Sequence, residues 1–271
     1  MKGIRTTRPL ALLLLPLLLV SCNTVPFTGR SQTLLYGSAE INKMSFTAYQ
    51  EFLGKHKLSA NAAQTQMVKR VGDRIRRAVE KALVKPQDRK RLEGFQWEFN
   101  LVESTEVNAW CMPGGKVVVY TGMLPVAQDE TGLAVVVGHE VAHAIAHHGN
   151  ERMSDNLFVA VGAVALNEAL AEKPEETRNL FLTLYGVTAS VGFLLPYSRV
   201  HESEADHMGV IFMAMAGYDP REAPKFWQRM AERAGKSGPD WFSTHPSHET
   251  RIADLKKHSL EAMKYYRPAK P

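Results

Sequence analysis

Apolar residues recur along this chain with two different periods, and the periods separate its elements. Between Ala62 and Leu83, Val68, Val71, Ile75 and Val79 stand three and four apart, which lines them along one face of an amphipathic helix. Ser38 to Lys57 is compatible with a helix before it. Phe95-Gln96-Trp97-Glu98-Phe99-Asn100-Leu101 instead alternates apolar and polar, the pattern of a half-buried strand. A second strand, Lys116 to Tyr120, follows a Pro113-Gly114-Gly115 turn. Beyond it the pattern is helical: Asp129 to His148, Ser154 to Glu172, Glu175 to Leu195, Glu202 to Ala216, Asp219 to Ala234 and Ser247 to Lys264. Gly149 and Gly217 read as C-terminal stops. Asp219-Pro220-Arg221-Glu222 offers a capping Asp, a proline at the first helical position and Glu three residues after the cap. The predicted fold is α+β and mostly α-helical. No self-similar segment recurs at periods of about 20–50 residues, which excludes solenoids and propellers.

The start of the chain follows a different logic. Lys2, Arg5 and Arg8 precede an uncharged, leucine-rich run from Pro9 to Val20, the layout of a secretory signal peptide. The run is too short for a stable membrane span, which needs about 20 apolar residues. It ends in Leu19-Val20-Ser21-Cys22, which resembles the lipobox of bacterial lipoproteins, where the peptide is removed before the Cys and the Cys becomes lipidated. On that resemblance Cys22 carries the lipid and holds the protein to a membrane, and Asn23 after it implies the outer membrane. The formal charge of the 271 residues is +5, but three of the basic residues lie in 1–21 with no acidic residue among them. The remainder is nearly balanced, which excludes a nucleic-acid partner. Cys111 is then the one unmodified cysteine, has no disulfide partner and reads as a small buried hydrophobe.

Chemistry concentrates on the helix that starts near Asp129. His139-Glu140-Val141-Ala142-His143 has the form HExxH, and at about 100° per residue its two histidines lie one turn apart on one face. Two neutral imidazoles so placed can grip one zinc ion, with Glu140 beside them as general base. The flanking runs Leu133 to Val137 and Ala144 to Ala146 bury the motif, where an unpartnered His-Glu-His would be costly. Catalytic zinc takes three protein ligands and keeps one position open. A third histidine at metzincin spacing is missing, because Ala146 stands where that pattern needs glycine. His201-Glu202-Ser203-Glu204-Ala205-Asp206 supplies carboxylates instead. Glu202 and Asp206 share a helical face, whereas Glu204 lies about 200° round from Glu202. This favours Glu202 as third ligand and Asp206 as the group that holds His139 or His143, with Glu204 as the alternative ligand. His147 and His148 are expected to face solvent or cap the helix end. Leu180 to Pro196, 17 uncharged residues, reads as a buried cleft wall. Arg199 and Arg251 read as ion-pair formers.

These motifs, with Leu195-Pro196-Tyr197-Ser198-Arg199 before Glu202, resemble the minigluzincin zinc metalloendopeptidases, which include HtpX, the CAAX prenyl endopeptidase and BepA. The likeness runs from Thr28-Gly29-Arg30 through Asn108 and Pro113-Gly114-Gly115 to Ser243-Thr244-His245-Pro246 and Arg251-Ile252. It implies a zincin catalytic domain with a small sheet beside the HExxH helix, in a short periplasmic lipoprotein branch. The implied organisation is 1–21 as signal peptide, 22–37 as lipidated stalk and 38–271 as catalytic domain. His139, His143 and Glu202 would bind one Zn2+, Glu140 would be the base and Asp206 an active-site carboxylate. His245 would approach the metal, either stabilising the tetrahedral intermediate or occupying the open position, with a capping role as the alternative. Lys116 to Tyr120 is a candidate for pairing with extended substrate as well as for internal sheet pairing. The implied function is quality control of unfolded or misassembled envelope proteins on the periplasmic side of the outer membrane. The competing expectation is a lipid-anchored chaperone or assembly scaffold with a structural or latent zinc site; an intact Glu140 argues against it, since a structural site needs no base.

Overall fold

A computed structural model describes residues 23–190, 194–237, 245 and 250–268. The expected signal peptide 1–21 and lipidated Cys22 lie outside the described residues. In chain order the elements are β1 (Asn23–Thr24), β2 (Ser31–Gln32), α1 (Ser38–Lys55), α2 (Ala62–Ala82), α3 (Pro86–Arg89), β3 (Glu98–Val102), β4 (Ala109–Met112), β5 (Lys116–Tyr120), α4 (Leu124–Ala127), α5 (Glu130–Ile145), α6 (His148–Ala169), α7 (Glu175–Ala189), α8 (Leu195–Met215), α9 (Glu222–Ser237) and α10 (Arg251–Ala262).

Helix α5 is the axis of the molecule. Within it only Glu130, Thr131 and His143 escape full burial, as expected of a helix apolar on every side. Asp129 caps it, its Oδ1 accepting from the Thr131 and Gly132 N–H groups at 2.8 and 2.9 Å. Helix α2 lays the predicted stripe against this core, with Val68, Val71, Ile75 and Val79 fully buried. Helix α8 crosses α5 at Gly138 and Gly209, and the backbones touch there: a Cβ on Gly209 would meet His139 N at 2.9 Å, and one on Gly138 would meet the Gly209 carbonyl oxygen at 2.9 Å.

The sheet order is β3-β5-β4, with β3 parallel and β4 antiparallel to β5. Every residue of β5 is buried because the sheet is covered on both faces. Val117 and Val119 join the core with α2 and α5, while Val118 and Tyr120 pack against Tyr49 of α1. Gly114 and Gly115 turn the β4–β5 hairpin at φ +82° and +85°, and the Phe46 ring fills the place a Cβ on Gly114 would need.

Four expectations need correction, and one strand was not foreseen. The strand predicted over 95–101 is shifted to Glu98–Val102, with Gln96 N–H donating to the Gly114 carbonyl at 2.8 Å ahead of it. Strand β4 lacks the alternation that marks a strand, since three of its four residues are half-buried. The helix expected to reach His148 stops at Ile145, where His147 takes a left-handed φ of +59° and redirects the chain; Gly149 is no stop but lies within α6. Residues 23–37 are no stalk. Val25 is buried, the Phe27 ring meets Phe212 edge-on at 5.8 Å, and Arg91 donates to the Thr24 carbonyl at 2.7 Å, so the segment belongs to the folded body. The stretch read as a cleft wall is mostly α7, which buries no residue: Leu180 is 57% and Phe181 47% exposed. No described helix is long and apolar enough to cross a membrane.

The α5–α8 crossing makes a testable demand. Gly209→Val should cost about 1–3 kcal/mol, the usual penalty of overpacking, read as a lowered urea midpoint; an unchanged midpoint would show that the two helices can part freely.

Candidate metal centre

One turn of α5 and one turn of α8 build the centre. His139 Nε2 and His143 Nε2 lie 3.1 Å apart. Glu202 reaches across from α8, its Oε2 3.4 Å from His139 Nε2 and its Oε1 3.3 Å from His143 Nε2. Zinc bonds of 2.0–2.1 Å in a tetrahedral site place ligand atoms ~3.3 Å from one another, so these three side chains fit such an ion in donor type and in spacing. His245 completes the cluster, its Nδ1 3.0 Å from Glu202 Oε1 and 3.4 Å from His139 Nε2. One donor atom from each of the four residues falls within 4.8 Å of the others. Glu140 stands beside them, its Oε1 3.6 Å from His245 Nε2 and 3.9 Å from His139 Nε2. The structure thus brings together His139, Glu140, His143, Glu202 and His245.

Protonation suits a cation at His143 and Glu202. At His139 burial opposes the charged form, but the Asp206 and Glu202 carboxylates outweigh it and raise the imidazole to about 9, so a cation must displace a proton there. Burial keeps His143 well below its usual pKa, hence neutral and able to offer a lone pair. Burial opposes ionisation of Glu202, but His143, His139 and His245 outweigh it and hold the carboxyl well below the usual range. Burial raises the pKa of Glu140, against the pull of His245 and His139. Burial likewise raises the Cys111 thiol well above its ordinary value, so it remains a protonated, unreactive group.

Asp206 takes the buttressing role, with its Oδ1 2.9 Å from His139 Nδ1. It is itself gripped by Arg251, whose Nε and Nη2 donate at 2.8 and 2.9 Å. That guanidinium also lies 3.3 Å from Glu202 and 3.4 Å over the Trp227 ring. Glu204, the alternative ligand, faces away from the cluster. His148 corrects the expectation of a solvent-facing or capping residue: it is buried, with Nδ1 2.8 Å from His143 Nδ1 and Nε2 3.1 Å from Glu204. Its signal in the sequence was its position five residues beyond a ligand, which an unbroken helix would have turned to another face.

A cleft of about 730 Å³ opens onto the cluster, with Phe95, Trp110 and Met112 among its lining residues. Strand β5 is unavailable for substrate pairing, since β3 and β4 occupy both of its edges. The outer edge belongs to β4, whose Cys111 N–H hydrogen-bonds Glu140.

The chain is similar to known proteins over most of its length. It is 38% identical over 179 residues to the mitochondrial metalloendopeptidase OMA1 of Arabidopsis thaliana, covering 65% of this chain and 35% of that one. It is 32% identical over 248 residues to the mitochondrial metalloendopeptidase OMA1 of Bos taurus, 88% of this chain and 46% of that one. With the beta-barrel assembly-enhancing protease of Escherichia coli it shares 29% identity over 167 residues, 59% of this chain and 34% of that one. The chain therefore spans about half or less of the length of these relatives. The mitochondrial relatives overturn the expectation of an outer-membrane protein facing the periplasm, and with it the expected role in quality control of envelope proteins. The motifs describe the chemistry of a cleft, and chemistry of this kind is not tied to one compartment. Residues 69–259, which hold the four clustered side chains and their supports Asp206 and Arg251, match peptidase family M48, and the chain belongs to that family.

Proposed function

We propose that this protein is a zinc-dependent endopeptidase acting on polypeptide substrates. The observation that carries the reading is the convergence of His139, His143 and Glu202 at 3.1–3.4 Å with Glu140 at their side. His139, His143 and Glu202 would hold one zinc ion, which when bound supplies Lewis acidity that acidifies water and polarises a peptide carbonyl. Glu140 accepts the proton of the attacking water and returns it to the departing amide nitrogen. Its raised pKa makes it a stronger proton acceptor than an exposed carboxylate. Asp206 keeps Nδ1 of His139 engaged, so that Nε2 faces the metal position. An extended substrate would lie along β4, pairing with its outer main-chain groups and filling the cleft beside Trp110 and Met112. His245, within contact of Glu202 and His139, would act as a brake that swings out when substrate binds.

Three outcomes follow. Glu140→Gln should bind zinc as the wild type does but cleave casein about 10²–10⁴-fold more slowly; equal cleavage by both would remove Glu140 as base. A strong zinc chelator should abolish cleavage and added zinc restore it. His245→Ala should cleave casein faster than wild type, and a slower variant would make His245 a helper of the transition state.

A further inference from the structure

Behind His143 lies a buried chain of polar groups that takes no part in the reaction above. His143 Nδ1 is 2.8 Å from His148 Nδ1, and His148 Nε2 is 3.1 Å from Glu204 Oε2. Two ring nitrogens in contact can pair only as one donor and one acceptor. Glu204 as a carboxylate accepts, so His148 carries its proton on Nε2 and presents Nδ1 as a lone pair. His143 then donates from Nδ1, which leaves Nε2, the atom facing Glu202 and His139, as a lone pair. The tautomer of His143 is thus set at the far end of the relay, by Glu204. His201 stacks on the His148 ring at 4.2 Å and 15°, which limits its rotation.

Glu204 is itself buried and depends on residues near the start of the chain. Its Oε1 accepts from the Thr28 hydroxyl and its Oε2 from Arg30 Nε at 2.8 Å. The same guanidinium donates to both oxygens of Glu151 at 2.6 and 2.7 Å, and Gln32 and His201 close on Glu151 at 2.9 and 3.0 Å. Helix α8 therefore serves both imidazoles from opposite faces. Asp206 backs His139 directly, and Glu204 backs His143 through His148.

We propose that Thr28 and Arg30, on the turn between β1 and β2, are positioning residues of the metal centre: through Glu204 and His148 they hold His143 in its metal-binding tautomer and orientation. Docking of residues 23–32 and affinity for zinc are then coupled. The inference rests on His143 being a ligand, as in the endopeptidase reading.

The test is zinc affinity of the purified protein, measured by competition with a chromophoric chelator. Outer-layer partners of metal-bound histidines are typically worth about 10–100-fold in affinity. Arg30→Ala and His148→Leu should weaken zinc binding by that order, while His148→Gln retains most of it, since its amide can accept from His143 and donate to Glu204. The visible spectrum of the cobalt-loaded protein should change in Arg30→Ala and His148→Leu and be restored in His148→Gln. Circular dichroism of the metal-free forms establishes which variants are folded, and Thr28→Val, a nearly isosteric change, carries the test with a smaller loss if Arg30→Ala does not fold. Folded variants that bind zinc within about twofold of wild type, well short of the usual outer-layer effect, would overturn the coupling alone. A His148→Gln protein as impaired as His148→Leu would reduce the relay to packing. Wild-type protein that binds no zinc would overturn the endopeptidase reading and the coupling together.

Discussion

Helices α5 and α8 cross with their main chains in contact, and the centre depends on that closeness. Packed helices ordinarily stand about 8–10 Å apart, a distance set by the side chains between them. At Gly138 and Gly209 there are none, and the His139 backbone sits where a Cβ of α8 would be. A glutamate on α8 can then reach both imidazoles of α5 with one carboxylate. The sheet, α2, α9 and α10 complete the burial around this crossing, so the polar groups inside meet one another instead of water.

That burial creates an electrostatic problem. Glu140, Glu151, Glu202, Glu204 and Asp206 are all nearly inaccessible to solvent. Buried charges are tolerated when paired and hydrogen-bonded, and become strongly unfavourable when one partner is lost. Two arginines answer this from opposite ends of the chain. Arg251 on α10 clamps Asp206 and lies against Glu202, while Arg30 on the β1–β2 turn bridges Glu204 and Glu151. A divalent cation between Glu202 and the two imidazoles would offset more of the negative charge, in line with the donor set gathered there.

Where a feature depended on neighbours in sequence, it was legible. The stripe Val68, Val71, Ile75 and Val79 forecast the buried face of α2, and the four-residue spacing of His139 and His143 forecast their convergence. The angle between Glu202 and Glu204 on one helix separated the residue that meets the imidazoles from the one that turns away. What failed depended on long-range partners. Residues 23–37 form a short segment interrupted by proline and glycine, and nothing local reveals that Arg30 finds Glu151 and Glu204 more than a hundred residues on. The left-handed turn at His147 broke the helical phase that would have carried His148 elsewhere. Strand β4 became a strand because β5 lies beside it.

The amino-acid order alone determined the helical character of the chain, the ligand pair on α5 and the class of metal chemistry those residues suit, because each follows from spacing along a single helix. Tertiary structure decided how closely the Glu202 carboxylate approaches the pair, which group backs His143, which strand edge faces the cleft, and that Thr28 and Arg30 pair with a buried carboxylate of α8. Those outcomes depend on how separate elements approach one another, and the approach is set by close backbone contact and by the need of each buried charge for a partner, neither of which has a period to read.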